Sequence, residues 1–316
     1  MLNFLLWTDR AKPYTDAIAT AGLDDRVKVT LADKDNPPGA ETLAATEAMF
    51  AMGCPPGTLS KMPKLRWVQA LTAGVESWLA RSDLREEIRL SCARGTHRIQ
   101  MPENILGAMF HITKPYAAIL EDDREHRWVR RVSDRLAGKT LGVLGLGAIG
   151  QELARKAAAL EMRVIGTRRN PGPVPHVEQV YGPEQTDEVL AQSDFVVLLL
   201  PVTPQTENLI DAGRLAKMKP GAWLLNFGRG HLIVDADLIA AVERKQIAGA
   251  ILDVFRQEPL PPEHPFWSTP GIMVLPHIGG GHPGRDADVA ALLVENIRRY
   301  LDGRKLKEEV ERSIGY

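Results

Sequence analysis

The 316-residue sequence predicts an α/β protein built from two doubly wound parallel-sheet domains. Three observations carry that reading. Short, continuous runs rich in Val, Ile and Leu recur along the chain, the pattern of parallel strands buried on both faces. They alternate with helical stretches such as "QELARKAAALE" and "DADLIAAVERKQ", as βαβ units require. One of the runs leads directly into the glycine-rich "TLGVLGLGAIG".

In chain order, "LNFLLW", "RVKVTL", "LRWVQAL" and "IRLSCA" are predicted strands of a first domain. From residue 140 onward six more follow: "TLGVLGL", "RVIGT", "DFVVLLL", "AWLLNF", "GAILDV" and "GIMVLPHI". Six strands in that half match the two mononucleotide halves of a dinucleotide-binding domain. Between the groups, residues 101–129 read as one long bridging helix with Pro102 near its start. After the last strand, "RDADVAALLVENIRRYLDG" is an amphipathic helix with no strand behind it, expected to pack back on the first domain. The expected domains are therefore residues 1–98 with 285–316, which bind substrate, and residues 99–284, which bind a dinucleotide, with a cleft between them.

Composition narrows the function classes. Apolar content is 44%, charged content 25% and the formal net charge −1, so neither nucleic acid nor an anionic membrane is expected as a partner. Cys54 and Cys92 fall outside any metal-ligand or C-x-x-C spacing, and no metal site is expected. The N-terminal "MLNFLLWTDR" is too short for a membrane span and lacks the flanks of a secretory signal, so a cytoplasmic protein is expected.

Gly145, Gly147 and Gly150 form a G-x-G-x-x-G loop between a strand and a helix, with Ala148 and Ile149 inside it. Gly145 permits a tight turn, Gly147 lets a pyrophosphate approach the backbone, and Gly150 lets helix and strand pack closely. The alternative is a plain strand-to-helix turn. The next strand ends in Thr167, Arg168 and Arg169, where a ribose-binding carboxylate is the rule for NAD. Arginine there suits a 2′-phosphate through charge-assisted hydrogen bonds, so NADP is the expected cofactor, with NAD possible. A solvated basic loop is the competing reading. Adjacent side chains on an extended segment point opposite ways, which favours Arg168 over Arg169.

Three stretches close late strands: "LLNFGRGHLIV" with Arg229, "ILDVFRQEPLPPEHPFW" with Asp253 and Glu258, and "MVLPHIGGG" with His277. Reduction of a 2-oxoacid needs a cation to fix carboxylate and carbonyl, which suits the guanidinium of Arg229. It needs a proton donor, which suits His277, and a carboxylate beside that imidazole favours its protonated form, which suits Glu258. Asp253 suits the nicotinamide end of a cofactor. Singly, each has an ordinary alternative as a salt-bridge residue, a structural histidine or a Glu-Pro turn.

Together, "LGLGAIGQELARKAAALEMRVIG", "LLLPVTPQTENLI", "LLNFGRG", "GAILDVFRQEPLPPEHPFW" and "LPHIGG" give the chain a resemblance to the D-isomer-specific 2-hydroxyacid dehydrogenase family over nearly its full length. Within it the chain is most similar to the short glyoxylate/hydroxypyruvate reductases. The resemblance implies a Rossmann cofactor domain, a flavodoxin-like substrate domain with an interdomain cleft, and a homodimer. It also implies a catalytic set of Arg229, Glu258 and His277, with Pro201 and Thr206 at the cofactor. Backbone N–H groups of Ala73, Gly74 and Val75 would hold the substrate carboxylate, together with Arg229.

The family pattern is broken at "IGGGHP", which introduces His282, and His231 beside Arg229 has no assigned role. Trp78, Trp128 and Trp267 are candidate walls of a substrate pocket, and hinges are expected near 95–103 and 281–287. The expected activity is NADPH-linked reduction of glyoxylate or hydroxypyruvate. A dehydrogenase of a larger 2-oxoacid and a non-catalytic dinucleotide sensor are the alternatives; a sensor has no use for a proton donor.

Overall fold

The computed structural model describes residues 1–313. The chain divides into two compact units, Met1–Thr96 with the segment from His282 onward, and His97–Gly281.

The first unit carries a five-stranded sheet of β1 (Leu2–Trp7), β2 (Val27–Ala32), β3 (Ala48–Ala51), β4 (Trp67–Ala70) and β5 (Arg89–Ser91). The strand order is β2-β1-β3-β4-β5 and every pair is parallel. Strand β3 is absent from the sequence reading. Its four residues, "AMFA", are all buried but too few to show a period. The helix Arg285–Leu301 buries Val289, Leu293 and Ile297 in one cluster with Phe4, Tyr14 and Phe50, so the C-terminal segment completes the core of this unit. That spacing of four places the three side chains on one helical face.

The second unit carries a seven-stranded sheet: β6 (Thr140–Leu144), β7 (Arg163–Thr167), β8 (Gln179–Tyr181), β9 (Phe195–Leu198), β10 (Trp223–Asn226), β11 (Gly249–Leu252) and β12 (Ile272–Val274). All pairs are parallel, in the order β12-β11-β10-β9-β6-β7-β8. The order reverses between β6 and β9, and ligands of such sheets bind at the carboxyl ends of strands beside that switch point. The edge strand β8, three residues long with no buried position, is also missing from the sequence reading.

Two expectations need correction. The bridging segment is two helices, Gln100–Thr113 and Tyr116–Arg124, rather than one. Pro115 lacks an N–H and forces Lys114 into an extended conformation (φ −112°, ψ 134°), which stops the first helix. Trp128 walls no pocket: it is 95% exposed, on a segment without regular structure. Trp78 is buried in the first unit's core and Trp267 is largely exposed.

Candidate active site

The carboxyl ends of three neighbouring strands, β10, β11 and β12, deliver Arg229, Asp253 with Glu258, and His277. Each position is fixed by local backbone demands.

Arg229 is half-buried in an extended conformation between two glycines. A Cβ on Gly230 would stand 2.0 Å from the Phe255 carbonyl carbon, and one on Gly228 would stand 2.8 Å from the Leu200 carbonyl oxygen. The turn can therefore pass between its neighbours only as "GRG". The buried Asn226 at the end of β10 closes the turn. Its Nδ2 donates to the Arg229 carbonyl at 2.9 Å, and its Oδ1 accepts from the Gly228 N–H at 3.1 Å. The Arg229 Nη1 donates to the Gly228 carbonyl at 2.7 Å.

Glu258 and His277 meet at 2.6 Å between Oε2 and Nδ1. The other carboxylate oxygen, Oε1, accepts the Phe255 N–H at 2.9 Å, so the side chain is held at both ends. The peptide bond that follows Glu258 is cis. His277 has φ +53°, a conformation rare outside glycine, and its side chain is half exposed. With Nδ1 turned to the carboxylate, Nε2 is the nitrogen available to a substrate. The arrangement can hold a proton on the imidazole and deliver it from Nε2.

Asp253 is buried, and both of its oxygens are engaged: Oδ1 accepts from the Ile278 N–H at 2.7 Å and Oδ2 from the Gly279 N–H at 2.9 Å. Burial pushes its carboxyl above the usual carboxylate range, against the pull of those two donors. The structure thus gives Asp253 a task that sequence reading did not assign, holding the loop that carries His277.

The glycine loop is shaped as its residues demand. Gly145 has φ +111°, and the N–H groups of Gly145 and Leu146 both donate to the Thr167 carbonyl, which ties the loop to the end of β7. A Cβ on Gly150 would lie 2.4 Å from the Gly145 carbonyl oxygen, whereas one on Gly147 would meet nothing within 4 Å. Gly147 is thus free of protein demands, as a residue approached by a ligand should be. The helix Ala148–Ala159 that follows has no side-chain cap, so the N–H groups of its first turn, including those of Ala148 and Ile149, are open to an anion. A cavity of about 310 Å³ lies along this helix, lined by Ala148, Gln151, Arg98, Arg155 and His176 among others. These features fit the pyrophosphate of a dinucleotide.

At the end of β7, Thr167 is buried while Arg168 and Arg169 are exposed. Thr206 lies in the loop after β9. Its hydroxyl donates to the Pro201 carbonyl at 2.7 Å and accepts the Thr203 N–H at 2.8 Å, bracing the loop after β9.

In the first unit, Ala73, Gly74 and Val75 form the turn after β4, and Thr72 Oγ1 braces it by donating to the Gly74 carbonyl at 2.7 Å. His282 stands 3.5 Å from Asp288 in the same unit, and His231 is exposed. Sequence reasoning missed Asn226 as the brace of the arginine turn; its signal was a polar residue ending a buried strand. It also missed Asn104, in the second turn of the helix Gln100–Thr113, whose Nδ2 donates to the carbonyls of Ile278 and Gly279.

Comparison with known proteins agrees with this geometry. A family profile described as "D-isomer specific 2-hydroxyacid dehydrogenase, NAD binding domain" matches residues 106–279. Glyoxylate/hydroxypyruvate reductase B of Yersinia enterocolitica is 32% identical over 253 residues, covering 78% of this chain and 77% of that protein. A D-isomer specific 2-hydroxyacid dehydrogenase of Xanthobacter autotrophicus Py2, solved with NADPH and MES, superposes with a TM-score of 0.88 at 30% identity over 100% of both chains. The NADPH-dependent glyoxylate/hydroxypyruvate reductase of Sinorhizobium meliloti, solved with NADP and sulfate, gives a TM-score of 0.86 at 27% identity over 100% of both chains. The chain belongs to the D-isomer specific 2-hydroxyacid dehydrogenase family and is an NAD(P)-dependent oxidoreductase of that kind.

Proposed function

We propose that the enzyme reduces a short 2-oxoacid, glyoxylate or hydroxypyruvate, to the 2-hydroxyacid with NADPH. The observation that carries the chemistry is the Glu258–His277 contact at 2.6 Å, which turns Nε2 outward as a proton donor. When bound, the reduced nicotinamide supplies the hydride. Arg229 pairs with the substrate carboxylate and polarises the carbonyl at C2. His277 delivers its Nε2 proton to the oxygen as negative charge gathers there, and Glu258 stabilises the cationic ring before that transfer. The N–H groups of Ala73, Gly74 and Val75 donate to no acceptor among the described residues and are open to a carboxylate.

NADPH is favoured over NADH by Arg168, which forms no ion pair among the described residues and is exposed at the ribose end of β7. Arg169 is a second cation at the same end. The reductase names of the Yersinia and Sinorhizobium relatives support the same substrate class.

The active form is a homodimer in the cytoplasm. Support for the dimer comes from Tyr116, Leu120, Trp128 and Val132, large apolar side chains that are exposed between residues 116 and 132. No described helix is long and apolar enough to cross a membrane.

The test is turnover at 340 nm across a panel of 2-oxoacids with each nicotinamide cofactor. The highest kcat/KM is expected for glyoxylate or hydroxypyruvate with NADPH. A faster branched or aromatic 2-oxoacid would overturn the substrate, and cofactor binding without any turnover would overturn the enzyme reading.

A further inference from the structure

The peptide that follows His277 is held in an unusual way. Asp253 accepts both N–H groups of Ile278 and Gly279, at 2.7 and 2.9 Å. Asn104 donates to both of their carbonyls, at 3.1 and 3.0 Å. Two side chains thus take all four backbone polar groups of one dipeptide, from opposite edges. The amide orientation of Asn104 is determined by its surroundings, because two carbonyls face one end and the Gln100 Nε2 donates to the other at 3.5 Å. Gly279 is required for the approach, since a Cβ there would stand 2.6 Å from an Asp253 oxygen. Gly280, next along, lies so close to the His97 ring that a Cβ would be 2.9 Å from it.

We propose that Asn104 is a positioning residue for proton transfer: with Asp253 it locks Ile278–Gly279 and so keeps His277 aligned with Glu258. The inference rests on the reading of His277 as the proton donor. The histidine is half exposed and has a positive φ, so its own packing does not determine its place. What determines it is the Glu258 contact on its ring and the fixed dipeptide on its carboxyl side. Removing the Asn104 donors leaves the Gly279 carbonyl without a protein partner among the described residues, while the Ile278 carbonyl keeps only the Gly281 N–H at 3.0 Å. Misalignment of a reacting group by about 1 Å costs on the order of 100-fold in rate.

The chain passes from one unit to the other at 96–97 and 281–282. The lock closes two residues before the second of these, so the peptide that leaves the unit starts beyond a fixed point.

Four variants test the proposal in the purified full-length enzyme, with glyoxylate and NADPH. Asn104→Asp keeps the shape and loses the donors; Asn104→Leu loses them without adding charge. Asn104→Gln keeps an amide donor, and His277→Ala controls for the histidine itself. The expected result is a kcat about tenfold lower or more for both donor-less variants, with KM for NADPH and NADPH binding by fluorescence within about twofold of wild type. Asn104→Gln recovers part of the rate. Equal losses in all three Asn104 variants, or an unchanged kcat in whichever donor-less variant folds, would overturn the proposal while leaving His277 in place. A mild effect of His277→Ala would overturn the underlying reading instead.

Discussion

Glu258 is held from two sides: one carboxylate oxygen lies 2.6 Å from His277 Nδ1 and the other accepts the Phe255 N–H at 2.9 Å. A carboxylate fixed in this way supplies charge to the ring as well as orientation. Glu258→Gln retains a hydrogen-bonding side chain of the same shape but removes the charge. In the reductive direction its kcat should fall about tenfold or more, because the protonated ring loses its ionic partner. NADPH binding, followed by fluorescence, should stay within about twofold of wild type. An unchanged kcat would mean that Glu258 only orients the ring.

Two glycines separate binding from stability. Gly147 has open space where a Cβ would go, so Gly147→Ala should leave the melting temperature unaltered while weakening NADPH binding about tenfold or more. Gly230 has the Phe255–Arg256 backbone at 2.0 to 2.4 Å from the same point, so Gly230→Ala should destabilise the fold by roughly 1–3 kcal/mol and displace Arg229. Melting curves with and without NADPH measure both. Loss of stability in Gly147→Ala would show that the loop is shaped by protein packing and not by a ligand.

How far the sequence could be read follows from where each signal lies. "RVIGT" matches β7 residue for residue: Arg163 opens the apolar run and Arg168 follows it. β3 and β8 have four and three residues, too few for any periodicity, and only the neighbouring strands make them strands. The break at Lys114–Pro115 was visible in principle, since proline restricts the residue before it; the continuous helical pattern around it obscured the signal. Arg229, Glu258 and His277 could be singled out because each lies in a short motif after a strand. Asn104 could not: its partners, Ile278 and Gly279, are 174 and 175 residues away, and only the folded chain brings them together. The same holds for Asp253, whose residue type pointed to a cofactor but whose two oxygens meet backbone N–H groups 25 and 26 residues on.

Arg168 tests the cofactor reading directly. It is exposed at the end of β7, and its backbone N–H is fixed by the Tyr181 carbonyl at 3.0 Å, so the side chain starts from a defined point. A charge-assisted hydrogen bond to a 2′-phosphate contributes about 1.5–3 kcal/mol, which corresponds to a preference on the order of 10- to 100-fold. Arg168→Asp should remove that preference and repel the phosphate, raising KM for NADPH while KM for NADH changes little or falls. The ratio of kcat/KM for the two cofactors, in wild type and variant, is the measurement. A ratio that does not change would assign Arg168 to the solvated surface.

Tyr14 offers a test of the first unit that is independent of catalysis. The side chain is buried and donates from its hydroxyl to Asp286 at 3.1 Å, at the start of the C-terminal helix. Burial, reinforced by the negative charge of Asp286, pushes its pKa from 10.0 up to about 12. Below pH 10 both folded and unfolded chains keep the phenolic proton, and the folded state holds its full advantage. Between pH 10 and about 12 the unfolded chain releases the proton while the folded chain retains it, so stability falls as pH rises. The slope from this one group is at most about 1.4 kcal/mol per pH unit. Tyr14→Phe lacks the titrating group but keeps the packing against Phe50, whose ring centroid is 4.6 Å away. The stability difference between wild type and Tyr14→Phe should therefore hold steady up to pH 10 and shift against the wild type across the next two units. Denaturant melts at stepped pH values measure it, and a difference that stays constant to pH 12 would show that the hydroxyl titrates alike in both states.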